Sequence, residues 1–195
     1  SNFSKLKAGD PTVKATLAKF SVEDYHQMVE AGILAHRQVE LIDGSIVEMS
    51  PEGTEHSYYG QNLADTFRAV LSGRALVREN KPITLSSSEP EPDIAIVWLP
   101  PSLYLSHHPY PEDIFLVVEV SKSTLAFDIS EKKKIYATAG IREYWVVNVK
   151  SRELILYRSP EAGDYQEVTT LLPGAVVSPL AFPDVAIAID QIFAS

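Results

Sequence analysis

The chain has 195 residues, of which 45% are hydrophobic and 22% charged, a composition typical of a soluble globular protein with one substantial core. It contains no cysteine, which excludes a disulfide framework, a thiolate zinc site and a cysteine nucleophile, and favours a reducing compartment such as the cytoplasm. The net charge of −9 argues against a protein that coats nucleic acid nonspecifically, but not against an enzyme whose carboxylates bind a divalent cation.

The N-terminal sequence predicts a flexible segment followed by a helix with a side-chain N-cap. Residues 1–17 are predicted to form a flexible N-terminal segment, and residues 18–195 a single domain. A helix is predicted to begin after Ser21 and to run to about Gly32. Ser21 is a suitable N-cap, and Asp24 occupies the position from which a side chain can return a hydrogen bond to that cap.

A β-hairpin and a second helix are predicted next. The apolar segments 39–42 and 45–49 flank Asp43-Gly44, and both of these residue types tolerate the positive φ angles of a two-residue turn. Between residues 54 and 72 the apolar positions recur at helical spacing, and a glycine follows as a stop signal. We therefore expect this second helix to pack one face against the core.

The rest of the chain alternates strand patterns with one more helix. Segments rich in β-branched and aromatic residues predict strands at 76–85, 94–98, 114–120, 143–149 and 153–158. Residues 114–120 are apolar on both faces, as in a central strand covered on both sides. Residues 128–139 contain few helix breakers and predict a helix, and a short helix is expected in the strand-rich tail. No apolar run is long enough to cross a bilayer, so no membrane segment is predicted.

Two acidic residues lie at the ends of predicted strands. Asp93 follows Pro92 at the start of one strand, and Glu119 lies near the end of the most hydrophobic strand, on the face of Phe115 and Val117. Burying an unpaired carboxylate is costly, so its partner is usually a metal, a cationic side chain or a strong donor. For Glu119 alone an ion pair is an equal explanation, whereas the two carboxylates together can converge on one hard cation such as Mg²⁺.

Long stretches of the sequence resemble a known family. They are VELIDGSIVEMSPEGTEH (39–56), EPDIAIV (91–97), FLVVEVSKSTLAFDISEKKKIYATAGIREYWVVNV (115–149) and ELILYR (153–158). The chain resembles the Uma2-like endonucleases, the former DUF820, of the PD-(D/E)XK nuclease superfamily. The resemblance implies an α/β (α+β) fold, namely a restriction-endonuclease-like mixed β-sheet flanked by helices, and an acidic pair that binds Mg²⁺ or Mn²⁺ for phosphodiester hydrolysis.

The resemblance also assigns candidate site residues. Asp93 matches the motif aspartate and Glu119 the acidic residue of the following strand, and both are expected to bind the metal. Glu40 matches an acidic residue of the family's hairpin and would add a third metal-binding carboxylate. The position two residues after Glu119, where a lysine would complete the motif, holds Ser121. In the family a lysine on the next helix is the candidate replacement, which here is Lys132.

Lys132 has a competing interpretation. The D…K…Y spacing of Asp128, Lys132 and Tyr136 puts Lys132 at the expected place, on the helix face of Tyr136. The run of lysines at 132–134 is equally well explained as a solvated charged face of a helix. Lys122 is a weaker substitute for the missing lysine.

Glu40 and His56 each have an alternative interpretation. Glu40 is as easily explained by an exposed position on a strand. His56, in the first turn of the second helix on the face of Tyr59 and Gly60, is expected to assist proton transfer or to contact phosphate, although a capping or core hydrogen bond is the simpler explanation. Asp184, which also follows a proline and precedes an apolar run, is interpreted as structural.

The sequence thus predicts a metal-dependent endonuclease acting on nucleic acid, with DNA as the expected substrate. The main alternative is a nuclease-like module without catalysis that binds nucleic acid or a protein partner, and a second is a metal-dependent hydrolase of another phosphoester. The strandedness of the substrate, and DNA against RNA, stay open at this point. A homodimer is implied only by the resemblance. There is no glycine-rich phosphate loop or GxSxG motif to support nucleotide hydrolysis or serine-esterase chemistry.

Overall fold

The structure, a computed structural model, describes residues 15–195. The expected N-terminal segment at 1–17 therefore lies outside the described residues except for residues 15–17, which are irregular and exposed. None of the helices in the described part has the length and apolar character needed to span a bilayer.

The described part of the chain contains five helices and ten strands. The helices are α1 (Val22–Glu30), α2 (Thr54–Val70), α3 (Leu125–Phe127), α4 (Lys133–Thr138) and α5 (Ile189–Ile192), with a π-turn (Asp128–Lys132) between α3 and α4 and 3₁₀ turns at Pro101–Tyr104 and Pro111–Asp113. The strands are β1 (Val39–Ile42), β2 (Ser45–Glu48), β3 (Leu76–Glu79), β4 (Ile94–Val97), β5 (Ile114–Ser121), β6 (Glu143–Asn148), β7 (Glu153–Glu161), β8 (Asp164–Leu171), β9 (Val176–Val177) and β10 (Ile187–Ala188).

A mixed six-stranded sheet forms the centre of the fold, as predicted. Its order is β3-β4-β5-β6-β7-β8, and small two-stranded sheets are formed by β1 with β2 and by β9 with β10. β5 and β6 are parallel, with Glu119 opposite Val146, while the other neighbours in the large sheet are antiparallel. A parallel pair needs a crossover, and the chain from α3 to α4 provides it.

Helices cover the sheet on both faces, so that β5 is buried on both sides as its apolar sequence predicts. Val118 and Val120 belong to the core under α2 and α5, where Phe67 packs on Trp145 with ring centroids 5.6 Å apart. Val117 belongs to the core under the crossover helices. Burying each such large side chain contributes about 1.5–3 kcal/mol, so these two cores fix the strand ends in place.

The predicted start of α1 and the predicted hairpin are both confirmed. The backbone N–H of Asp24 donates to Ser21 Oγ at 3.0 Å, and the Ser21 N–H donates to Asp24 Oδ2 at 3.0 Å. In the turn between β1 and β2, Asp43 and Gly44 have φ angles of 46° and 80°. A Cβ on Gly44 would lie 2.8 Å from Lys19 Cβ, so the turn is both left-handed and closely packed.

The strand predicted at 76–85 is shorter in the structure, because β3 ends at Glu79. Asn80 has a φ of 49°, which turns the backbone out of the extended conformation, and Pro82 has no N–H to donate to a ladder. The chain beyond β3 instead forms a loop, in which the Ile83 N–H donates to Pro90 O at 3.0 Å.

Two further expectations are corrected. Phe115 does not share the face of Glu119, because the β4–β5 register shifts and leaves Phe115 against Phe182 on the other side of the sheet, 5.0 Å between ring centroids. Such a bulge adds one residue to a strand and reverses the alternation at that point. The helix predicted at 128–139 begins earlier, at Leu125, and contains the π-turn.

Candidate active site

An open cleft of about 500 Å³ lies between the hairpin end, the start of α2, the strand ends and the crossover. Its lining includes all five residues that the sequence singled out: Glu40, His56, Asp93, Glu119 and Lys132. They come from β1, α2, the segment before β4, β5 and the π-turn, so only the folded chain brings them together.

The carboxylates of Asp93 and Glu119 each accept a hydrogen bond from a backbone N–H of the neighbouring segment. The Asp93 N–H donates to Glu119 Oε1 at 2.9 Å, and the Val120 N–H donates to Asp93 Oδ2 at 2.6 Å. Glu119 is 4% exposed. The two strand ends thereby orient both carboxylates before any ligand is present, as a charge-assisted hydrogen bond does.

Lys132 is buried, so its interpretation as a solvated charge is wrong. Its side chain is 1% exposed, and Nζ donates to Glu119 Oε2 at 2.9 Å and to Glu40 Oε1 at 2.8 Å. Burial lowers the pKa of Lys132, but the charges of Glu119 and Glu40 raise the pKa by more, so the ammonium form is favoured. Burial also raises the pKa of Glu119, and the Lys132 ammonium opposes that rise.

The neighbouring lysines behave differently. Lys134 is exposed, and Lys133 Nζ lies 3.1 Å from the exposed Asp164 carboxylate. Lys122, the weaker substitute, is 45% exposed and lies 3.5 Å from Glu55 at the surface. Lys132 is therefore the lysine of this set that reaches the predicted carboxylates.

Glu40 is also buried, at 4% exposure, which rules out the exposed-strand interpretation. Besides Lys132, its Oε1 accepts a hydrogen bond from the Glu91 N–H at 2.5 Å. Its Oε2 is buried without a hydrogen-bond partner among the described residues. A buried acceptor without a partner costs free energy and is best satisfied by a bound cation or water.

His56 lies on the buried side of α2 and faces two carboxylates. Its Nε2 is 3.0 Å from Asp93 Oδ1 and 3.6 Å from Glu52 Oε1, but makes no aligned hydrogen bond with either. Burial lowers the pKa of His56, and the carboxylates of Asp93, Glu52 and Asp128 raise it by more, for a net increase. The contact with Asp93 is thus electrostatic. When the imidazole is neutral, the lone pair of Nε2 can bind a cation.

Glu52, which the sequence did not single out, completes a metal-ligand group. One ligand atom from each of Glu52, His56 and Asp93 lies within 4.8 Å of the others, and within residues 15–195 no other set of three such side chains does so. The two carboxylates suit Mg²⁺ or Mn²⁺, while the imidazole is a ligand of transition metals, so the buried Nε2 without a hydrogen-bond partner fits a ligand role for Mn²⁺. The i,i+4 spacing of Glu52 and His56 was the available signal, but Glu52 precedes the helix and resembles an ordinary exposed loop residue.

Asp128 is a second acidic residue of the cleft that the sequence noted only for its spacing. It is 3% exposed, and its Oδ2 accepts hydrogen bonds from Ser121 Oγ at 2.5 Å and Thr124 Oγ1 at 2.6 Å. Burial raises the pKa of Asp128, and these two hydroxyls lower it in part. Ser121, at the position of the missing motif lysine, thus binds the start of the π-turn.

The cleft as a whole is acidic. Its lining contains two cations, Arg68 and Lys132, and eight carboxylates: Glu40, Glu52, Asp65, Glu79, Glu91, Asp93, Glu119 and Asp128. Arg68 is already paired, 3.2 Å from Asp65 and 2.6 Å from Glu79. A phosphate-bearing ligand would therefore be repelled unless cations entered with it.

Asp184 lies outside this cleft. It forms an exposed bidentate ion pair with Arg74, at 2.7 and 3.0 Å, which agrees with its structural interpretation.

Comparison with known proteins identifies a family and a fold. The family model Uma2, described as "Putative restriction endonuclease", matches residues 22–190. The crystal structure of "a putative nuclease belonging to DUF820" from Anabaena variabilis ATCC 29413 matches with a TM-score of 0.63 and 17% identity, covering 80% of this chain and 89% of that chain. At this identity the likeness shows the shared fold. A comparison with curated proteins finds no match.

Proposed function

The chain belongs to the Uma2 family, and from that premise we propose that it is a Mg²⁺- or Mn²⁺-dependent endonuclease that hydrolyses phosphodiester bonds of DNA. One observation carries the proposal: the five side chains that the sequence singled out all line one cleft, and two of them, His56 and Asp93, form with Glu52 a group with metal-ligand spacing. A fold alone does not establish an activity, so the argument depends on this geometry.

Asp93, Glu52 and His56 are proposed to hold the cation. Glu119 and Glu40 are proposed as further ligands, through the oxygen lone pairs that their hydrogen bonds leave unused. The Oε2 of Glu40 has no partner among the described residues and offers one such position. A bound divalent cation supplies a Lewis acid that lowers the pKa of water and neutralises charge on the phosphate. The acidic lining explains why substrate binding would require that cation.

Lys132 has a role as a fixed positive charge. Because its pKa is raised, it stays protonated at neutral pH and does not act as a general base. It balances the charges of Glu119 and Glu40 and adds a positive potential where negative charge develops on the phosphate. His56, adjacent to Asp93, is the candidate for proton transfer when it is not bound to the cation.

The test is cleavage of labelled duplex DNA, single-stranded DNA and RNA in Mn²⁺ or Mg²⁺. We expect Asp93→Asn and Glu119→Gln to remove cleavage, with a loss of at least about 100-fold for a group acting in the transition state. Asp184→Asn is the matched control, since Asp184 also follows a proline but lies outside the cleft. Unchanged cleavage by both cleft variants would overturn the proposal.

The same variants separate the enzyme from a non-catalytic module. A metal site should bind Mn²⁺ in calorimetry and lose that binding in Asp93→Asn, whereas a structural acidic cluster should lose stability with no Mn²⁺ binding in the parent. The homodimer expected from the resemblance is tested independently by sedimentation.

A further inference from the structure

Ser121 and Asp128 form a buried contact in place of the lysine that the nuclease motif would have. Side chains two residues apart on a strand share a face, so Ser121 lies on the side of Glu119. Ser121 is fully buried and donates from Oγ to Asp128 Oδ2 at 2.5 Å. A hydroxyl at this point therefore ties the end of β5 to the first residue of the π-turn.

Asp128 is fixed through both its side chain and its backbone. Thr124 Oγ1 donates to the same Oδ2 at 2.6 Å, and the Asp128 N–H donates to Thr124 O at 2.9 Å. The Asp128 carbonyl accepts a hydrogen bond from the buried Tyr144 hydroxyl at 2.8 Å. Asp128 is thus bound to β5, to β6 and to its own turn, and it cannot shift without breaking several buried hydrogen bonds.

The π-turn begins at Asp128 and ends at Lys132. Turns of this kind are rare, and side chains four positions apart in a helical turn lie on the same face. Asp128 and Lys132 are accordingly both buried against the sheet, and Lys132 Nζ reaches Glu119 and Glu40 at 2.9 and 2.8 Å.

We propose that Asp128 is a positioning residue: anchored by Ser121 and Thr124, it holds the π-turn that brings Lys132 between Glu119 and Glu40. Ser121, at the position of the missing motif lysine, thus acts by holding Asp128, while Lys132 supplies the positive charge. This inference rests on the proposed function for its effect on cleavage, but its geometric part can be tested without any cleavage.

The test measures the accessibility of Lys132 directly. The folded protein is acetylated with a small reagent, and the labelling of each lysine is quantified by mass spectrometry, with the exposed Lys134 as the internal reference. In the parent, Lys132 should be protected. In Asp128→Ala its labelling relative to Lys134 should rise severalfold, because the turn that carries Lys132 loses the hydrogen bonds from Ser121 and Thr124. Ser121→Ala, which removes one donor, should show a smaller rise, and Ser121→Thr, which keeps the hydroxyl, should restore protection.

Cleavage gives the second measurement. For DNA in Mn²⁺, kcat should fall about 10- to 100-fold in Asp128→Ala, with the Mn²⁺ affinity retained, and should recover in Ser121→Thr relative to Ser121→Ala. If Lys132 stays protected in folded Asp128→Ala and Ser121→Ala while only the melting temperature falls, Asp128 is merely structural and the inference is wrong. A parent that never cleaves would sink the proposed function, whereas the labelling result would still decide the position of Lys132.

Discussion

The contacts that place Lys132 in the proposed site also bear on the stability of the fold. It lies fully buried between two buried carboxylates, and each of its two contacts is shorter than 3 Å. Lys132→Met keeps the volume but leaves Glu40 and Glu119 without their cation. Breaking a buried pair in this way typically costs about 3–5 kcal/mol.

Urea unfolding of Lys132→Met should therefore show a free energy of unfolding lower by about 3–5 kcal/mol. Lys134→Met, the exposed neighbour, is the control and should change that energy by less than about 0.5 kcal/mol. Equal stability of the two variants would mean that the buried carboxylates are neutral without Lys132.

His56 predicts how stability depends on pH in the metal-free protein. Its pKa in the folded state lies above the ordinary value of 6.5, chiefly because burial, which lowers the pKa, is outweighed by Asp93 and Glu52. A raised folded pKa means that protonation favours the folded state. The stabilisation is fully present below about pH 6.5 and is lost as the pH rises through the folded pKa of His56.

Denaturant unfolding in EDTA between pH 6 and pH 9 measures this contribution. The parent should lose more stability over that interval than His56→Gln, which cannot titrate. Mn²⁺ affinity should follow the opposite trend and increase with pH, because the imidazole binds a cation only in its neutral form. Parallel pH curves for parent and variant would contradict the assigned environment of His56.

At the scale of elements, the β1–β2 turn closes the hairpin whose first strand carries Glu40 into the cleft. Gly44 has a φ of 80°, and a Cβ there would collide with Lys19, whereas Gly32 has a φ of 74° with nothing within 4 Å. Gly44→Ala and Gly32→Ala both suffer the left-handed backbone, about 1–3 kcal/mol for a strained residue. Only Gly44→Ala adds the steric clash.

We therefore expect Gly44→Ala to lower the melting temperature more than Gly32→Ala, and to weaken Mn²⁺ binding as β1 shifts. Thermal unfolding and calorimetry of both variants provide the comparison. A larger loss in Gly32→Ala would show that the turn tolerates the clash by moving Lys19.

The elements with strong local signals could be predicted from sequence. Ser21 with Asp24 gave the start of α1, and Asp43-Gly44 the hairpin, because cap and turn chemistry act within a few residues. Pro82 was a local signal for the end of β3, which the predicted strand 76–85 passed over. The bulge at Phe115 and the π-turn could not be predicted in this way. Each depends on contacts from distant parts of the chain, such as Phe182 against Phe115 and Tyr144 against Asp128.

The site residues also differ in whether local sequence could predict them. Asp93 and Glu119 could be proposed because a carboxylate beside an apolar run is unusual. The burial of Lys132 could not be separated from a solvated run by its sequence, since 132–134 are all lysines. Glu52 was missed because its proximity to Asp93 is set by how the loop before α2 folds onto the strand ends.

For the whole molecule, the acidic cleft dominates the electrostatics. Eight carboxylates and two cations line it, so the metal-free protein carries a repulsion that cations relieve. Mn²⁺ at 1 mM should raise the melting temperature more than NaCl of equal ionic strength, because an ion bound at a site stabilises the folded state by mass action. That stabilisation is about 2.7 kcal/mol when the ion concentration is 100 times its Kd.

Thermal unfolding of the parent and Asp93→Asn checks this prediction. The variant should lose most of the extra Mn²⁺ effect while keeping the small response to NaCl, which only screens the charges. Equal responses to the two salts in the parent would show that cations act on this cleft by screening alone.

The spacing of Glu40, Glu119 and Lys132 along the chain also has a kinetic consequence. Glu119 and Lys132 are 13 residues apart in the chain, whereas Glu40 is 92 residues from Lys132. Local contacts close rapidly and distant ones slowly, so during refolding the Glu119–Lys132 pair should form before the hairpin docks. The complete set of predicted ligands, with Glu40, would then assemble only in the last step of folding, whereas the group of Glu52, His56 and Asp93 would not wait for the hairpin.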